Sequence, residues 1–544
     1  QVKALVFNFS EQCKAILLLS NLKNNEAKAF AKIPTVLLEQ EKEFQSKLNE
    51  LESSISKQEV NGNEKEEALI SQLQSQHFKQ KQQYDALIEK FEVDYPEYHQ
   101  LKYSITTASI QDLQSYLQET NTTIQQFNNT TITQSNSSAI ILSYHIGKDK
   151  IYIFAITSND YQITTIEKPA DFSNLIEKLQ GDIQLGYVSE FIKSATQLFD
   201  ILLQPVWDFL QESSKLIIIP HGELYYVPFD VLFNQHQITD IKNFENLPYL
   251  IRDFDISYHY SATLLLHSHQ RQQQTGEQVD SFFGLAPVHF GGKNGSEVKE
   301  GYVVKSSGKQ QERKRRILKS SGNEAAALQD LEETEVEVKE VYQLFEEQGK
   351  EAIALFYDQA NKQNLQEHIG GYKYVLISTH GFLQETSKNT LSGIHLAPSG
   401  ARSQESGVRQ EELASTEYPS RIHKASTASI ESDDYILHTS ETYHLNLNAD
   451  LVVLSSCESG VGELKVGEGM MALNRGFLYA GASNIVYSLF KVPEDSTSRL
   501  TQALFRYILE GENYAQALRK AKLELINDGA MEPMDWAGFA LVGG

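Results

Sequence analysis

The spacing of hydrophobic positions divides the chain into an amino-terminal helical region and a longer region in which strands alternate with helices. Over residues 1 to about 100, apolar side chains recur at steps of three and four among charged and glutamine-rich neighbours, as in amphipathic helices. The pattern stops at 60–63 and resumes as far as Pro96, which predicts a long antiparallel helical hairpin. A shorter helical pattern covers 110–127. The apolar positions of the hairpin are Leu37, Phe44, Leu48, Leu51, Ile55, Leu69, Leu73, Tyr84, Leu87 and Phe91.

The apolar stripe of this hairpin has two interpretations. We favour a structural seam, in which each helix covers the apolar side of the other. The alternative is that the exposed tip of the hairpin binds a partner protein.

From about residue 138 the hydrophobic period changes to that of short strands rich in β-branched and aromatic residues. The first two, 139–144 and 150–156, are separated by a predicted hairpin turn at 147–149. Helical patterns lie between the later strands, which predicts an α/β sheet with functional residues beyond the strand carboxyl ends. The other predicted strands are 216–219, 282–285, 352–355, 374–378, 451–454 and 484–489, and the other predicted helices are 189–212, 324–347, 469–479 and 498–509.

Two polar insertions interrupt the strand-and-helix pattern. Residues 291–323 are rich in Gly, Ser and Lys and contain the basic run 313–316, and residues 399–430 carry scattered Ser, Glu and Arg. Both compositions are typical of disordered segments. We interpret the basic run as a solvated loop, with a recognition or cleavage segment as the alternative.

Composition narrows the class of protein. A chain of 544 residues is too long to fold around a single hydrophobic core, so two to four domains are expected. The formal net charge of −24 disfavours direct nucleic-acid binding, because phosphates would be repelled. The sequence has no membrane-spanning run of about 20 apolar residues and no secretory signal pattern. We therefore expect a cytoplasmic protein without a membrane partner.

The two cysteines, Cys13 and Cys457, are too few and too far apart for a disulfide framework or a zinc site. We expect no metal or other cofactor. Cys13 is expected to be a small buried residue on a helix. The chain begins with Gln1 rather than Met, which we interpret as a sign that an upstream region is missing.

Cys457 is the strongest candidate for chemistry. It follows the apolar run 451–454 and stands among small residues and glycine, where a strand gives way to a loop. A thiol attacks as the thiolate and needs a nearby base. His380 follows the apolar run 374–377 in the same way, so two parallel strands would present both side chains at their carboxyl ends. This arrangement is the dyad of a cysteine protease.

Small residues around this pair favour an oxyanion hole. Gly381 follows the histidine, and we assign the hole to the main-chain N–H groups of Gly381 and Cys457. His395 and His221 are rival bases, but both are expected to be structural. No Ser/His/Asp elbow, phosphate-binding glycine loop or metal-ligand motif competes in the sequence.

The spacing of the dyad agrees with that of caspases. The gap between residues 380 and 457 is 77 positions, of which the insertion at 399–430 accounts for 32, leaving 45. The caspase pattern places the histidine about 50 residues before the cysteine.

Several motifs together resemble the CHAT domain of caspase-like cysteine proteases. They are the stretch 451–460 around Cys457, Gly467 to Gly469, the segments 475–482 and 488–492, and the terminal Trp536 to Val542; 220–229, 249–253 and Ser261-Ala262 resemble the same family. The resemblance covers roughly 140–544. It implies a caspase-like, mostly parallel sheet flanked by helices, preceded by an all-α helical-hairpin region.

The resemblance also implies a domain organisation and partners. We expect a helical region at 1–135, possibly the end of a tetratricopeptide repeat (TPR) array, a pseudo-caspase-like half at 136–280 and a catalytic half at 281–544. In longer members the helical region follows such an array. In one branch of the family that array docks onto a CRISPR effector, which switches the protease on. We therefore expect a regulatory protein partner, in bacterial defence with a CRISPR effector or a gasdermin-type system.

Related proteases, including separase, clostripain and metacaspases, cut after Arg or Lys by means of an acidic pocket. The resemblance to separase places one pocket acid in the stretch 490–495, where Phe490 replaces the usual Trp and Glu494 the usual Asp. Glu494, Asp495 and Glu458 are therefore candidates for the P1-binding pocket. A solvated loop or a helix cap is the alternative role for Glu494 and Asp495.

The sequence thus predicts a cysteine endopeptidase that cleaves a protein substrate after Arg or Lys. The alternative is a non-catalytic scaffold of the same fold, in which the helical hairpin acts as a protein-interaction module.

Overall fold

The computed structural model divides the chain into two compact units, residues 15–107 and residues 1–14 together with 108–544. The predicted boundaries at 135/136 and 280/281 stay predictions. The structure describes residues 2–14, 18–20, ten positions between 34 and 51, 67–95, 107–127, 138–234, 244–274, 278–288, 303–305, 331–385, 390–398, 435–443, 445–456, 463–465, 469–528 and 532–544.

The unit 15–107 is helical where it is described. Its long helix, Glu67–Asp94, buries Leu87 and Phe91. Leu37 and Phe44, from the first half of the predicted hairpin, pack against these two side chains. This contact agrees with a seam between two helices. The turn predicted at 60–63 and Pro96 lie outside the described residues.

The other unit is built on one twelve-stranded mixed sheet with a parallel centre. All eight strands predicted from the sequence lie in it. Its strands are β1 (Ser138–Ile146), β2 (Lys150–Ile156), β3 (Tyr161–Glu167), β4 (Ser213–Ile219), β5 (Asp255–Tyr258), β6 (Ser281–Ala286), β7 (Val303–Lys305), β8 (Glu351–Phe356), β9 (Tyr374–Ser378), β13 (Leu451–Ser455), β16 (Asn484–Ser488) and β17 (Phe539–Val542).

Two small sheets stand beside it and carry the remaining strands. One contains β10 (Gly381–Glu385), β11 (Thr390–His395) and β12 (Ile436–His438), and the other contains β14 (Glu463–Lys465) and β15 (Gly469–Met471).

Strand order makes the two halves of the large sheet continuous. The order is β3-β2-β1-β4-β5-β17-β16-β13-β9-β6-β8-β7. Strand β17 pairs antiparallel with β16 and parallel with β5. The last strand of the chain therefore joins the first half of the sheet, β3-β2-β1-β4-β5, to the second half, β16-β13-β9-β6-β8-β7. The central pairs on either side are parallel, because helical crossovers connect their strands. The expectation of an α/β, mostly parallel sheet flanked by helices is confirmed.

The positions of the helices follow the amphipathic patterns of the sequence, and the helices outside the unit 15–107 flank the large sheet. In chain order the described helices are α1 (Val2–Gln12), α2 (Glu67–Asp94), α3 (Ile110–Phe127), α4 (Phe172–Leu185), α5 (Val188–Leu202), α6 (Trp207–Leu210), α7 (Ala262–Gln274), α8 (Glu332–Glu347), α9 (Lys362–His368), α10 (Thr439–Thr442), α11 (Leu473–Ala480), α12 (Glu494–Leu509), α13 (Tyr514–Asn527) and α14 (Pro533–Trp536).

Two boundary predictions were wrong. Residues 303–305, inside the first polar insertion, form β7 and pair antiparallel with β8 instead of being disordered. The helix predicted from 469 begins only at Leu473, because 469–471 pair with β14. The rest of the first insertion, 291–302 and 306–323 with the basic run 313–316, and the whole insertion 399–430 lie outside the described residues.

Helix α1 packs on the first half of the sheet through a buried ion pair. Lys14 Nζ donates to Glu11 Oε1 at 3.0 Å and to Ser143 Oγ of β1 at 2.6 Å. Glu11 Oε2 accepts from the Ala262 N–H at 2.7 Å, where it caps the start of α7. The expectation that Cys13 is buried was wrong: it follows the last turn of α1, off the face that carries Glu11 and Lys14, and is exposed.

Among the described residues, no helix combines the length and apolar composition needed to cross a lipid bilayer.

Candidate active site

The candidate site begins at the carboxyl ends of β9 and β13, which are neighbouring parallel strands. Both strands are buried along their whole length. Their last paired residues are Ser378 and Ser455. The Thr379 N–H then donates to the Ser455 carbonyl oxygen at 3.2 Å, which extends the ladder by one step. The two chains therefore remain side by side beyond the final rung.

His380 stands two residues after Ser378, where the chain leaves the large sheet. It is half-buried. Its carbonyl oxygen accepts from the His395 N–H at 2.9 Å, and Gly381 then opens strand β10 opposite Ile394. His380 thus lies at the junction between the large sheet and the small sheet.

Cys457 and Glu458 lie outside the described residues. The chain is described up to Ser456, whose carbonyl oxygen accepts from Ser488 Oγ of β16 at 2.7 Å. That bond fixes the residue immediately before the candidate nucleophile to the next strand of the sheet.

The first half of the sheet contains a corresponding edge. There β1 and β4 are parallel, Ser143 pairs with Ile219, and the residues two positions later are His145 and His221. The two imidazole rings stack with their centroids 4.6 Å apart. Side chains two positions beyond a paired rung therefore meet at this type of edge.

A carboxyl group that sequence reasoning missed lies beneath the candidate site. Glu337 of α8 is 2% exposed. Its Oε2 accepts from Ser378 Oγ at 2.6 Å and from Ser455 Oγ at 2.9 Å. Burial raises the pKa of Glu337, while the hydroxyls of Ser378, Ser455 and Thr501 act in the opposite direction. An acid on the apolar face of α8 was a signal available in the sequence.

The acidic candidates Glu494 and Asp495 form the first turn of α12 and are exposed. Burial, and then repulsion from Glu333, raise the pKa of Glu494, whereas His380 and Lys491 lower it. Glu494 is therefore close enough to His380 for their charges to interact. Both acids also stand where the helix dipole favours negative charge, so the position agrees with a helix-terminal role as well.

The two rival histidines have depressed pKa values. Burial, together with the neighbouring His380 and His438, lowers the pKa of His395 to about 4. Burial, together with His145 and Lys14, lowers the pKa of His221 to about 3. Both imidazoles are neutral near pH 7 and are held in place: His395 stacks on the Tyr435 ring, and His221 Nδ1 accepts from the Ile146 N–H at 3.1 Å.

Residues 193–544, more than half of the chain, match the sequence model of the CHAT domain. The chain is 24% identical over 357 residues to tetratricopeptide repeat protein 28 of Mus musculus, covering 64% of this chain and 13% of that protein. It is 32% identical over 111 residues to tetratricopeptide repeat protein 28 of Homo sapiens, covering 20% of this chain and 4% of that protein. The chain thus spans only a small part of both relatives.

Two solved structures are similar at low levels. The separase of the Saccharomyces cerevisiae separase–securin complex has a TM-score of 0.34 and 11% identity, covering 92% of this chain and 27% of that chain. The Arg-specific cysteine proteinase gingipain R has a TM-score of 0.34 and 7% identity, covering 69% of this chain and 74% of that chain.

Proposed function

Because the chain belongs to the CHAT domain family, we propose that it is a cysteine endopeptidase with His380 as general base and Cys457 as nucleophile. The register of β9 and β13 carries this proposal. His380 and Cys457 each stand two residues beyond the paired Ser378 and Ser455. The stacked His145 and His221 at the equivalent positions of the first half support contact between two such side chains.

The reaction uses the dyad twice. The His380 imidazole takes the thiol proton, and the Cys457 sulfur attacks the scissile carbonyl carbon. The imidazolium then gives its proton to the leaving amine as the C–N bond breaks, which leaves a thioester. A water molecule, deprotonated by the same imidazole, attacks the thioester, and the C–S bond breaks to release the acid product and the thiolate.

The N–H groups of Gly381 and Cys457 would stabilise the oxyanion. The β10–β11 ladder supports the role of Gly381. Hydrogen-bonded pairs alternate with non-hydrogen-bonded pairs in antiparallel strands, and His380 is bonded to His395. The next pair, Gly381 with Ile394, is then of the non-bonded type, so the Gly381 N–H is directed away from β11.

We propose that the substrate carries Arg or Lys at P1. The interaction between the charges of Glu494 and His380 supports an acidic side chain beside the base. Asp495 and Glu458, its neighbours in sequence, are further candidates for the same pocket.

We also propose that a partner protein regulates the enzyme through the helical unit 15–107. The compactness of that unit and the similarity to TPR proteins support this role. A CRISPR effector or a gasdermin-type defence system is the proposed setting. Cleavage rates measured with and without the products of the neighbouring genes would test it, and equal rates with every such product would contradict it.

The cleavage test uses the full chain, casein and fluorogenic peptides with Arg or Lys at P1. Cys457→Ala and His380→Ala should each lower kcat by about 1,000-fold or more, and the double variant should lose little beyond either single one. Cys13→Ala is the matched control and should keep wild-type turnover. Wild-type turnover in either single dyad variant would contradict the proposal, and a wild-type chain inactive on every substrate and partner would favour the scaffold.

A further inference from the structure

Glu337 occupies a position that links three elements of the proposed site. It lies on α8, and its carboxyl accepts hydrogen bonds from Ser378 of β9 and Ser455 of β13. Thr501 of α12 also acts on it, and this side chain is fully buried. Strands β9 and β13 lead to His380 and Cys457, and α12 begins with Glu494.

The carboxyl of Glu337 is held by hydroxyl groups and not by a counter-ion. Among the described side chains, two serine hydroxyls donate to it and no basic residue shifts its pKa. Burying an acid in this way costs free energy, and an apolar side chain of similar volume generally packs there at no loss of stability. A role in packing alone therefore does not explain an acid at this position.

The two serines relate this carboxyl to the dyad. Ser378 and Ser455 are the last residues of β9 and β13, and both point toward α8, because both reach Glu337. The chain bends directly after each of them, at Thr379 and Ser456. The hydrogen bonds to Glu337 therefore fix the two points from which the chain leaves the sheet toward positions 380 and 457 of the sequence.

We infer that Glu337 is a positioning residue of the proposed protease. Its hydrogen bonds fix Ser378 and Ser455 relative to each other, so that His380 and Cys457, which follow them in sequence, meet in reactive geometry. This inference rests on the proposed function. Glu337 itself lies below the reacting atoms and acts through the strand ends. Misplacing reacting groups by about 1 Å can lower the rate about 100-fold, so small movements of these ends would be visible in kcat.

The first test compares Glu337→Gln with Glu340→Gln, the same change at an exposed position of the same helix. Glutamine keeps the shape and one carbonyl oxygen for the two serines, but its amide group takes the place of Oε1, which has no hydrogen-bond partner among the described groups, so a buried donor is left unpaired. We expect Glu337→Gln to lower kcat about 10-fold or more with KM within about twofold. Glu340→Gln should match the wild type. Equal kcat values for the two variants would overturn the inference.

A second variant separates positioning from stability. Replacing Glu337 by Leu together with Ser378→Ala and Ser455→Ala removes the acid and both strand donors, which can restore a well-packed interior. We expect its thermal midpoint to recover relative to Glu337→Gln while kcat stays low. Recovery of both would show that the acid serves only packing. If neither glutamine nor leucine is tolerated, Ser378→Ala and Ser455→Ala alone should still lower kcat without changing KM, and wild-type kcat in both would overturn the inference.

The iodoacetamide alkylation rate of Cys457, with Cys13 as internal reference, distinguishes this failure from failure of the dyad. If His380→Ala leaves the Cys457 rate unchanged, the proposed function fails and this inference fails with it. If His380→Ala slows Cys457 while Glu337→Gln leaves both its rate and kcat unchanged, the inference alone is wrong. Slowing by both variants, with Cys13 unaffected, supports both proposals.

Discussion

The two halves of the large sheet place a His-Gly pair after a buried parallel strand in two different environments. In the first half, β4 is followed by Pro220-His221-Gly222, and in the second β9 is followed by Thr379-His380-Gly381. Gly222 has φ of +58°, a backbone conformation that other residues rarely adopt, and it begins a tight turn, whereas Gly381 begins an extended strand. The same dipeptide is therefore followed by a turn in the first half and by a new strand in the second.

The neighbouring residues differ in the same sense. His221 stacks on His145, next to the buried Glu11–Lys14 pair of α1, and its pKa falls to about 3. His380 is half-buried beside the exposed carboxylate of Glu494. A second imidazole, that of His145, lies next to His221, whereas the strand beside β9 leads in sequence to Cys457. The comparison teaches that a strand-end histidine acquires a role from its neighbours, not from its local sequence.

The largest expected contrast comes from changing one histidine in each half. His380→Ala should lower kcat by about 1,000-fold or more with an unchanged thermal midpoint. His221→Asn, which retains an acceptor for the Ile146 N–H, should keep kcat within about threefold and lower the free energy of unfolding by about 1 to 2 kcal/mol. Peptide cleavage and urea unfolding measure both. Similar effects of the two changes would break the contrast.

A second contrast concerns the two acids at the start of α12. Glu494→Gln should lower kcat/KM for peptides with Arg or Lys at P1 by about 10-fold or more, because a charge beside His380 is lost. Asp495→Asn, a change at the second candidate of the same pocket, should lower it by a smaller factor of about threefold. A P1 profile that favours Asp or apolar residues would contradict the basic preference.

The smallest expected effect is a pH dependence of stability from the first half. Burial lowers the pKa of His221 and of His259 to about 3. Their unfolded values are about 6.5, so the unfolded chain binds more protons between these values and stability falls as the pH drops below about 6.5. At pH 5 each contributes a loss of up to about 2 kcal/mol. Glu337, with its raised pKa, contributes with the opposite sign.

His221→Asn is the check on this linkage. In urea unfolding between pH 7 and pH 5, the variant should lose less stability than the wild type. The slope of its free energy of unfolding against pH should be smaller by an amount that corresponds to about one bound proton. An identical slope in the two proteins would show that His221 is not the neutral, buried group described here.

Local patterns in the sequence were sufficient for the strands of the sheet and for most of its helices. The apolar runs that became β4, β9 and β13 indicate buried strands, because they are short, rich in Val, Ile and Leu, and followed closely by Gly, Pro or small residues. The edge position of His380 followed from the same runs. These features depend on neighbours in sequence.

Features that depend on distant contacts could not be predicted. Strand β7 is a three-residue segment inside a polar insertion, and it pairs with β8. Helix α1 was assigned to the helical region, yet Glu11 of α1 binds the start of α7, and Lys14, just after α1, binds Ser143 of β1, each more than 120 positions away. Glu337 likewise gains its role from two serines that the chain brings together only on folding.

The most direct test of the account is the alkylation of the two cysteines in one sample, followed by mass spectrometry near pH 7. Cys13 is exposed and supplies the reference rate for an ordinary thiol. We predict that Cys457 reacts about 10-fold faster or more, that His380→Ala brings it to the rate of Cys13 or below, and that His221→Asn leaves it unchanged. A Cys457 that reacts no faster than Cys13, and is indifferent to His380→Ala, would contradict the proposed dyad.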